Sequence, residues 1–211
     1  MIIASLALAL AQAAPPAPAK SSKLLSRVDA SRLIAACMIK RDRRHASLFV
    51  ENEPHTPAFK KAWSELESAM AACIMPESQS LTLRINDLRG TLAEALLREA
   101  GGAALDRAGA LSAEPPQRIG VGKSGIANDD RLFRCAIAAS PIAAAALVKA
   151  DPASPAEAAA FNDLGAALQQ CVPENVEMKL QLFQIRWLVA AALYSRLAAS
   201  QREVPIVEAA E

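Results

Sequence analysis

The chain has 211 residues, a formal net charge of +1, and 53% hydrophobic but only 4% aromatic residues. The near-neutral charge argues against a nucleic-acid-binding protein, which carries a pronounced basic excess. Beyond the first residues, no apolar run approaches the ~20 residues of a membrane-spanning helix. We therefore expect no transmembrane segment in the mature chain, and an alanine-rich composition typical of closely packed helices.

The N-terminal run predicts export. Residues 1–13 are apolar and end in the small-residue site Ala11-Gln12-Ala13, as in a signal peptide cleaved after Ala13. The run has no Lys or Arg at its start, which a start site further upstream would explain. A buried N-terminal helix is the alternative. Residues 14–28 predict a flexible N-terminus, and we expect the mature protein to be periplasmic or secreted.

Four cysteines mark the frame of the chain. Cys37 and Cys73 are the same number of residues apart as Cys135 and Cys171. An even number of cysteines in an oxidising compartment predicts disulfides, and four cysteines allow three pairings. The equal spacing favours Cys37–Cys73 with Cys135–Cys171, each bridge contributing about 4 kcal/mol in the chain-entropy description. Four buried free thiols are the alternative.

The segments between the cysteines resemble each other. Glu53-Pro54-His55-Thr56-Pro57 corresponds to Asp151-Pro152-Ala153-Ser154-Pro155, and further on Leu88-Arg89 corresponds to Ile185-Arg186 after a slip of one residue. A self-similar block normally buries its apolar face against its copy. We predict an all-α fold with two pseudo-symmetric four-helix repeats packed as one domain, each with one disulfide. The repeats cover residues 29–100 and 130–200, with a linker at 101–129 and a C-terminal tail at 201–211.

The four helices of each repeat are predicted in the same order. Asp42 corresponds to Ser140, and Ser140 precedes a proline, which is an N-cap followed by a first-turn residue. One helix should therefore end and another begin at this position. Ser154 and Glu157 have the pattern of a capping box at the start of a third helix. The predicted helices cover about residues 29–41, 43–51, 57–73 and 87–99, with copies that include 141–150 and 184–199.

Two further features lie around the fourth helices. Apolar residues alternate just before them, a pattern compatible with short strands that pair between the repeats: Leu81, Leu83 and Ile85, then Met178, Leu180 and Leu182. Gly90 stands where the second repeat has Trp187. If the fourth helices cross near the pseudo-twofold axis, the missing side chain leaves space for the indole.

One segment carries a resemblance to known proteins. Residues 88–96, Leu-Arg-Gly-Thr-Leu-Ala-Glu-Ala-Leu, follow a Cys-to-Cys helical block and an acid-Pro-x-Ser/Thr-Pro loop. This combination resembles uncharacterised exported proteins of alphaproteobacteria, over residues 30–98 and more loosely 130–197. The resemblance implies an exported helical fold with a duplicated Cys-to-Cys block and carries no activity. The second repeat departs from it, with Trp187 in place of Gly90.

Motifs for cofactors, metals and catalysis are weak. Residues 119–124 resemble a phosphate loop, but Gln117 occupies the position that needs a glycine, and no strand precedes it. His45 and His55 lie near two glutamates, but their spacing fits no zinc signature. Glu65 and Glu67 fall on the polar face of a helix. We therefore predict no cofactor, no metal and no catalytic residue.

The two repeats differ most in charge. Six basic residues of the first repeat, here called the basic surface, correspond to residues without charge in the second: Lys40, Arg41, Arg43, Arg44, Lys60 and Lys61, against Ala138, Ala139, Pro141, Ile142, Ala158 and Ala159. One interpretation is that the first repeat faces water while the second packs more deeply. Another is that the basic surface binds an anionic envelope component, such as lipid headgroups or cell-wall polymer. A third is that the apolar positions contact a protein partner.

Two classes of function follow. The sequence favours an exported, non-enzymatic binding or structural module of the envelope or periplasm, because its scaffold features are plain and no catalytic constellation accompanies them. The alternative is a periplasmic hydrolase that uses carboxylates brought together by the fold. A cleft with two facing carboxylates, one with a raised pKa, would support that alternative.

Overall fold

The computed structural model describes residues 26–74, 84–118, 125–172 and 180–203. Over these residues the regular structure is entirely α-helical, which confirms the all-α class. The eight described helices are α1 (Arg27–Glu51), α2 (Pro57–Cys73), α3 (Ile85–Glu99), α4 (Gly102–Gly109), α5 (Gly125–Ala139), α6 (Pro141–Lys149), α7 (Pro155–Cys171) and α8 (Leu182–Glu203). The signal-like run, the phosphate-loop-like residues 119–124 and three of the six predicted strand residues, Leu81, Leu83 and Met178, lie outside the described ranges.

The strand prediction fails where it can be examined. Ile85 and Leu182 are the first residues of α3 and α8, two residues earlier than predicted, and Leu180 belongs to no strand. The backbone N–H of Leu88 donates to the carbonyl of Arg84, which begins α3 at this point. The alternation of apolar residues therefore runs into helices instead of forming a ladder.

Side-chain N-caps are present at the starts of α2 and α7, whereas the Ser140 side chain, predicted to cap α6, makes no such hydrogen bond. The Thr56 side chain accepts from the backbone N–H of Phe59 at 3.2 Å, and the Ser154 side chain accepts from that of Glu157 at 3.1 Å. The Glu157 carboxylate completes the cap at Ala153, whose N–H donates to Oε2 at 2.6 Å. His55 and Ala153, which correspond in the alignment, both have positive φ, 70° and 59°.

The predicted helix break is also present in both repeats. Asp42 has φ −150° and ψ 73° inside α1, and Ser140 has φ −139° and ψ 70° between α5 and α6. Asp42 caps the helix that follows, because its Oδ1 accepts from the backbone N–H of His45 at 3.1 Å. In the second repeat the break produces a 107° bend between residues 129–139 and α6.

Both predicted disulfides are confirmed. Cys37–Cys73 joins α1 to the end of α2, and Cys135–Cys171 joins α5 to the end of α7, with Cα–Cα distances of 5.8 and 6.0 Å. The second cysteine of each pair is buried, at 3% and 0% exposure. Each bridge thus connects the apolar faces of two helices at the same place in the two halves.

Helices α3 and α8 contact each other at the centre of the core, at Gly90 and Trp187. A Cβ added to Gly90 would lie 2.6 Å from the carbonyl oxygen of Trp187 and would also overlap its Cβ. The close contact is thus with the Trp187 backbone and Cβ. Gly90 lets the two helix backbones approach closely, which explains its position.

The linker between the predicted repeats contains α4, which packs on α6. A Cβ added to Gly109 of α4 would lie 3.2 Å from the Cβ of Ala145. The caps, breaks and bridges agree at corresponding positions, whereas α4 belongs to the linker. Pseudo-symmetric packing of two repeats stays a prediction.

No described helix is by itself long and apolar enough to cross a membrane. Only residues 129–139 together with α6 reach that length and composition, and the two are bent relative to each other.

Candidate functional site

All six side chains of the basic surface are exposed on α1 and α2. Arg43 forms an ion pair with Glu99 of α3. None of the six lines the two cavities described below. The basic surface is therefore an exposed face, suited to an extended anionic partner more than to a small ligand.

The second repeat is covered in part where the first is basic. The backbone N–H of Glu114 donates to the carbonyl of Ala138 at 2.8 Å, and α4 lies against α6, where Pro141 is buried. Three of the six positions are not covered: Ile142, at 74% exposure, and the exposed Ala158 and Ala159. The linker covers the chain at Ala138 and Pro141, so deeper packing explains the absence of charged residues at these two positions.

The two histidines lie apart from any metal-binding arrangement. The His45 ring is 2.7 Å from Asp42 Oδ2, and His55 is exposed in the loop before α2. Burial alone raises the pKa of the Asp42 carboxyl, but its hydrogen bonds with His45 outweigh burial and the pKa is lowered overall. Within the described ranges, no three His, Cys, Asp or Glu residues are grouped as a metal site requires.

A cleft of about 480 Å³ lies between α5, α8 and the extended segment that follows α4. Three arginines line it, together with one glutamate and several small apolar residues, and we call it the arginine cleft. Its lining residues are Glu114, Pro115, Gln117, Arg131, Arg134, Cys135, Ile137, Ala138, Ala192, Ser195, Arg196 and Ala199. The disulfide at Cys135 ties α5, which supplies five of the twelve lining residues, to α7.

Arg196 of α8 holds the outer wall of the arginine cleft in place. Its Nη2 donates to the carbonyl of Ser112 at 2.5 Å and to Glu114 Oε1 at 2.8 Å, while Nη1 donates to the carbonyl of Ile137 at 3.2 Å. The guanidinium therefore connects the extended segment to α5 and α8. Arg196 is occupied by these structural contacts.

Arg134 and Arg131 have donors without a hydrogen-bond partner among the described residues. Arg134 Nε donates to Asp130 Oδ2 at 2.6 Å, but its Nη2 is buried and has no hydrogen-bond partner within the described ranges. Arg131 is exposed one turn earlier on the same helix. A buried donor without a partner is unfavourable, by about 1–3 kcal/mol or more when charged. The arginine cleft therefore has positive charge and free donors beside an apolar wall.

A second set of arginines is buried inside the protein. Arg89 Nη1 donates to Asp130 Oδ1 at 2.6 Å. Arg186 donates through Nε to Glu94 Oε1 and through Nη1 to Glu157 Oε1, both at 2.8 Å. Burial lowers the pKa of Arg89, against the opposing effect of Asp130. These two arginines are enclosed by carboxylates and backbone oxygens, and we interpret them as structural.

A cavity of about 400 Å³ lies where the first turns of α3 and α8 meet, and we call it the carboxylate cavity. It is lined by Arg84, Ile85, Asn86, Asp87, Asp129, Leu180, Gln184, Trp187 and Leu188. Asp87 forms an ion pair with Arg27. Burial raises the pKa of Asp129, which favours its protonated form. The indole Nε1 of Trp187 is buried without a hydrogen-bond partner.

Sequence reasoning did not find either cavity or the buried arginines. The aligned pair Leu88-Arg89 and Ile185-Arg186 contained the signal for the buried arginines, since an arginine next to apolar residues in a core helix needs internal partners. The arginine cleft had no such signal, because its residues come from three separated segments. A comparison of the chain with protein-family models, curated proteins and solved structures gives no match.

Proposed function

We propose that the protein is an exported, non-enzymatic binding module of the periplasm or envelope, and that its ligand is an anion held in the arginine cleft. Two disulfides support export, because they are consistent with an oxidising compartment. The signal-like residues 1–13 support it as well. The observation that carries the binding role is a cleft lined by three arginines, of which Arg131 is exposed and Arg134 has a terminal nitrogen without a hydrogen-bond partner among the described residues.

Electrostatics and surface chemistry favour an anion with an apolar part. The cleft is lined by three arginines and one glutamate, so its side chains carry a positive excess. Its other lining residues include Ile137, Ala138 and Ala192. Ligand sites commonly combine an apolar wall with a few polar groups that fix orientation. The arginine cleft has this combination, whereas the basic surface has charge without a concave wall.

A titration with the anionic fluorophore 8-anilinonaphthalene-1-sulfonate tests the proposal. We compare the wild type with two double variants of equal charge change, Arg131→Ala/Arg134→Ala in the cleft and Arg41→Ala/Arg44→Ala on the basic surface. The cleft variant should bind at least about tenfold more weakly, because each lost charge-assisted hydrogen bond is worth roughly 1.5–3 kcal/mol. The surface variant should bind like the wild type.

Three outcomes of this titration oppose the proposal. Weaker binding only in the Arg41/Arg44 variant would assign the anionic partner to the basic surface. Equal affinities in all three proteins would show that neither the arginine cleft nor the basic surface binds the fluorophore. Weaker binding in the cleft variant with a matching fall in melting temperature would count against a direct role, so thermal unfolding is measured on the same samples.

A periplasmic hydrolase is the second candidate, favoured by the carboxylate cavity alone. Asp129 and Asp87 line the same cavity, and burial raises the pKa of Asp129, as a general acid requires. The ion pair between Asp87 and Arg27 weakens the case, because it occupies the second carboxylate. A panel of nitrophenyl esters and glycosides tests it: hydrolysis by the wild type that Asp129→Ala abolishes would support an enzyme. No release above buffer would oppose it.

A further inference from the structure

We infer that the ligand of the arginine cleft is a monocarboxylate with an unbranched apolar chain. The inference rests on the proposed function and adds the class of ligand. Three features of the cleft support it: the hydrogen-bond donors that remain without a partner, the apolar wall and the cavity volume.

The free donors match a carboxylate. Both terminal nitrogens of Arg196 donate to Ser112, Glu114 and Ile137. Arg196 therefore contributes positive charge to the cleft but no terminal nitrogen that is free to bind a ligand. The donors that remain at the surface of the cleft are the guanidinium of Arg131, which is exposed, and the accessible part of the Arg134 guanidinium, whose side chain is 40% exposed. A carboxylate has two oxygens and is satisfied by donors from two directions. A phosphate presents more oxygens and more charge, and Glu114 at the rim opposes a dianion.

The apolar part of the cleft favours an aliphatic chain. Ala138 and Ala199 give partly exposed small side chains from α5 and α8, and Pro115 adds an apolar side chain from the extended segment. Among the residues that the structure describes, none in the lining is aromatic, so they offer no ring for stacking on a flat ligand. The volume of about 480 Å³ lies within the range of roughly 300–1,000 Å³ of small-molecule pockets. A flexible chain of methylenes fits such a wall better than a rigid aromatic ligand.

Calorimetric titration with butanoate, hexanoate, octanoate and decanoate, each below its micelle concentration, tests the class. Affinity should rise about fourfold for each methylene that the wall buries. Decanol, which lacks the charge, should bind at least about tenfold more weakly than decanoate, and decyl phosphate should bind no better than decanoate. A constant affinity along the series, or tighter binding of decanol or decyl phosphate, would overturn the inference.

Failure of the inference can be distinguished from failure of the proposed function. Binding of all four carboxylates with one affinity, lost in Arg131→Ala/Arg134→Ala, would keep an anion site and reject the aliphatic chain. No heat with any of the anions would reject both. The same protein samples are also titrated with the sulfonate fluorophore, so binding of the carboxylates can be compared directly with binding of an aromatic anion.

Two tryptophan variants test where the aliphatic chain of the ligand lies, and a lysine variant tests the donor. Ala199→Trp places a large side chain in the wall and should weaken decanoate binding more than butanoate binding, by about tenfold or more. Gln201→Trp, on the exposed end of the same helix, is the matched control and should leave the series unchanged. Arg134→Lys keeps the charge but loses the planar donor pair, and it should weaken all four carboxylates by a similar factor. Equal effects of the two tryptophan variants would overturn the placement.

Discussion

Arg89 and Arg186 make the same backbone contact with the same atom. Nη2 of Arg89 donates to the carbonyl oxygen of Val50, and Nη2 of Arg186 donates to that of Val148, both at 2.8 Å. These carbonyls lie in the last turns of α1 and α6, where helical carbonyls lack intrahelical partners. The two arginines therefore cap corresponding helices from inside the core. Their carboxylate partners differ, and the difference predicts unequal stability effects.

Replacing Arg186 should destabilise the protein more than replacing Arg89. Arg186→Met leaves Glu94 and Glu157 without their main partner, and losing one member of a buried ion pair typically destabilises by about 3–5 kcal/mol. Arg89→Met leaves Asp130 paired with Arg134 Nε at 2.6 Å, so we expect about 1–3 kcal/mol. Urea unfolding measures both. Adding Glu157→Gln to Arg186→Met should restore part of the loss; equal losses in the two single variants would contradict this account.

Gly90→Ala should destabilise although alanine favours helices. The added Cβ would lie 2.6 Å from the Trp187 carbonyl oxygen, so α3 and α8 must separate, which we expect to cost about 1–3 kcal/mol as overpacking. Gly165→Ala on α7 is the control, because nothing lies within 4 Å of its added Cβ. It should stabilise by up to about 1 kcal/mol. Thermal melts that show no difference between the two variants would rule out the close contact.

Removing either disulfide should reduce stability by a similar amount. Both bridges span a sequence separation of 36 residues, for which the chain-entropy description gives about 4 kcal/mol. Cys37→Ala/Cys73→Ala and Cys135→Ala/Cys171→Ala are compared by urea unfolding. Only the second pair should also weaken ligand binding, because Cys135 lines the arginine cleft. Weaker binding in the first pair alone would place the ligand elsewhere.

Asp129 should make stability fall as pH rises. Its pKa is raised above the ordinary 3.8 by burial, so the folded state holds the proton more tightly than the unfolded state. The loss of stability therefore starts near 3.8 and is complete above the folded pKa. Asp129→Asn lacks this loss and should melt higher than the wild type at about pH 7, with no such gain at about pH 3. A gain of equal size at both values would show that charge is not the cause.

The local parts of the fold are predictable from the sequence. The pairing of Cys37 with Cys73 follows from equal spacing, and the breaks at Asp42 and Ser140 follow from cap-forming residue types at aligned positions, although only the Asp42 side chain makes a capping hydrogen bond. The sequence predicts only a linker at residues 101–129, where the structure has helix α4. Gly101 has φ 80°, which ends α3 and begins α4 at once.

The candidate site is not predictable in the same way. Arg134 and Arg196 are separated by many residues, and neither lies in a motif. Their shared cleft depends on the bend at Ser140 and on where the segment near Glu114 crosses α5. The basic surface was visible because its residues are close in sequence, yet it forms no cavity. Charge that is contiguous in the chain can be read from the sequence, whereas charge assembled by packing cannot.

The most direct test is to map the bound anion on the protein by two-dimensional NMR, using ¹⁵N-labelled wild type titrated with decanoate. The account predicts that the largest amide shifts fall in α5 and α8, at Arg131, Arg134, Ala138, Ala192 and Ala199, and disappear in Arg131→Ala/Arg134→Ala. Shifts concentrated at Arg41, Arg44, Lys60 and Lys61, or no shifts anywhere, would contradict it.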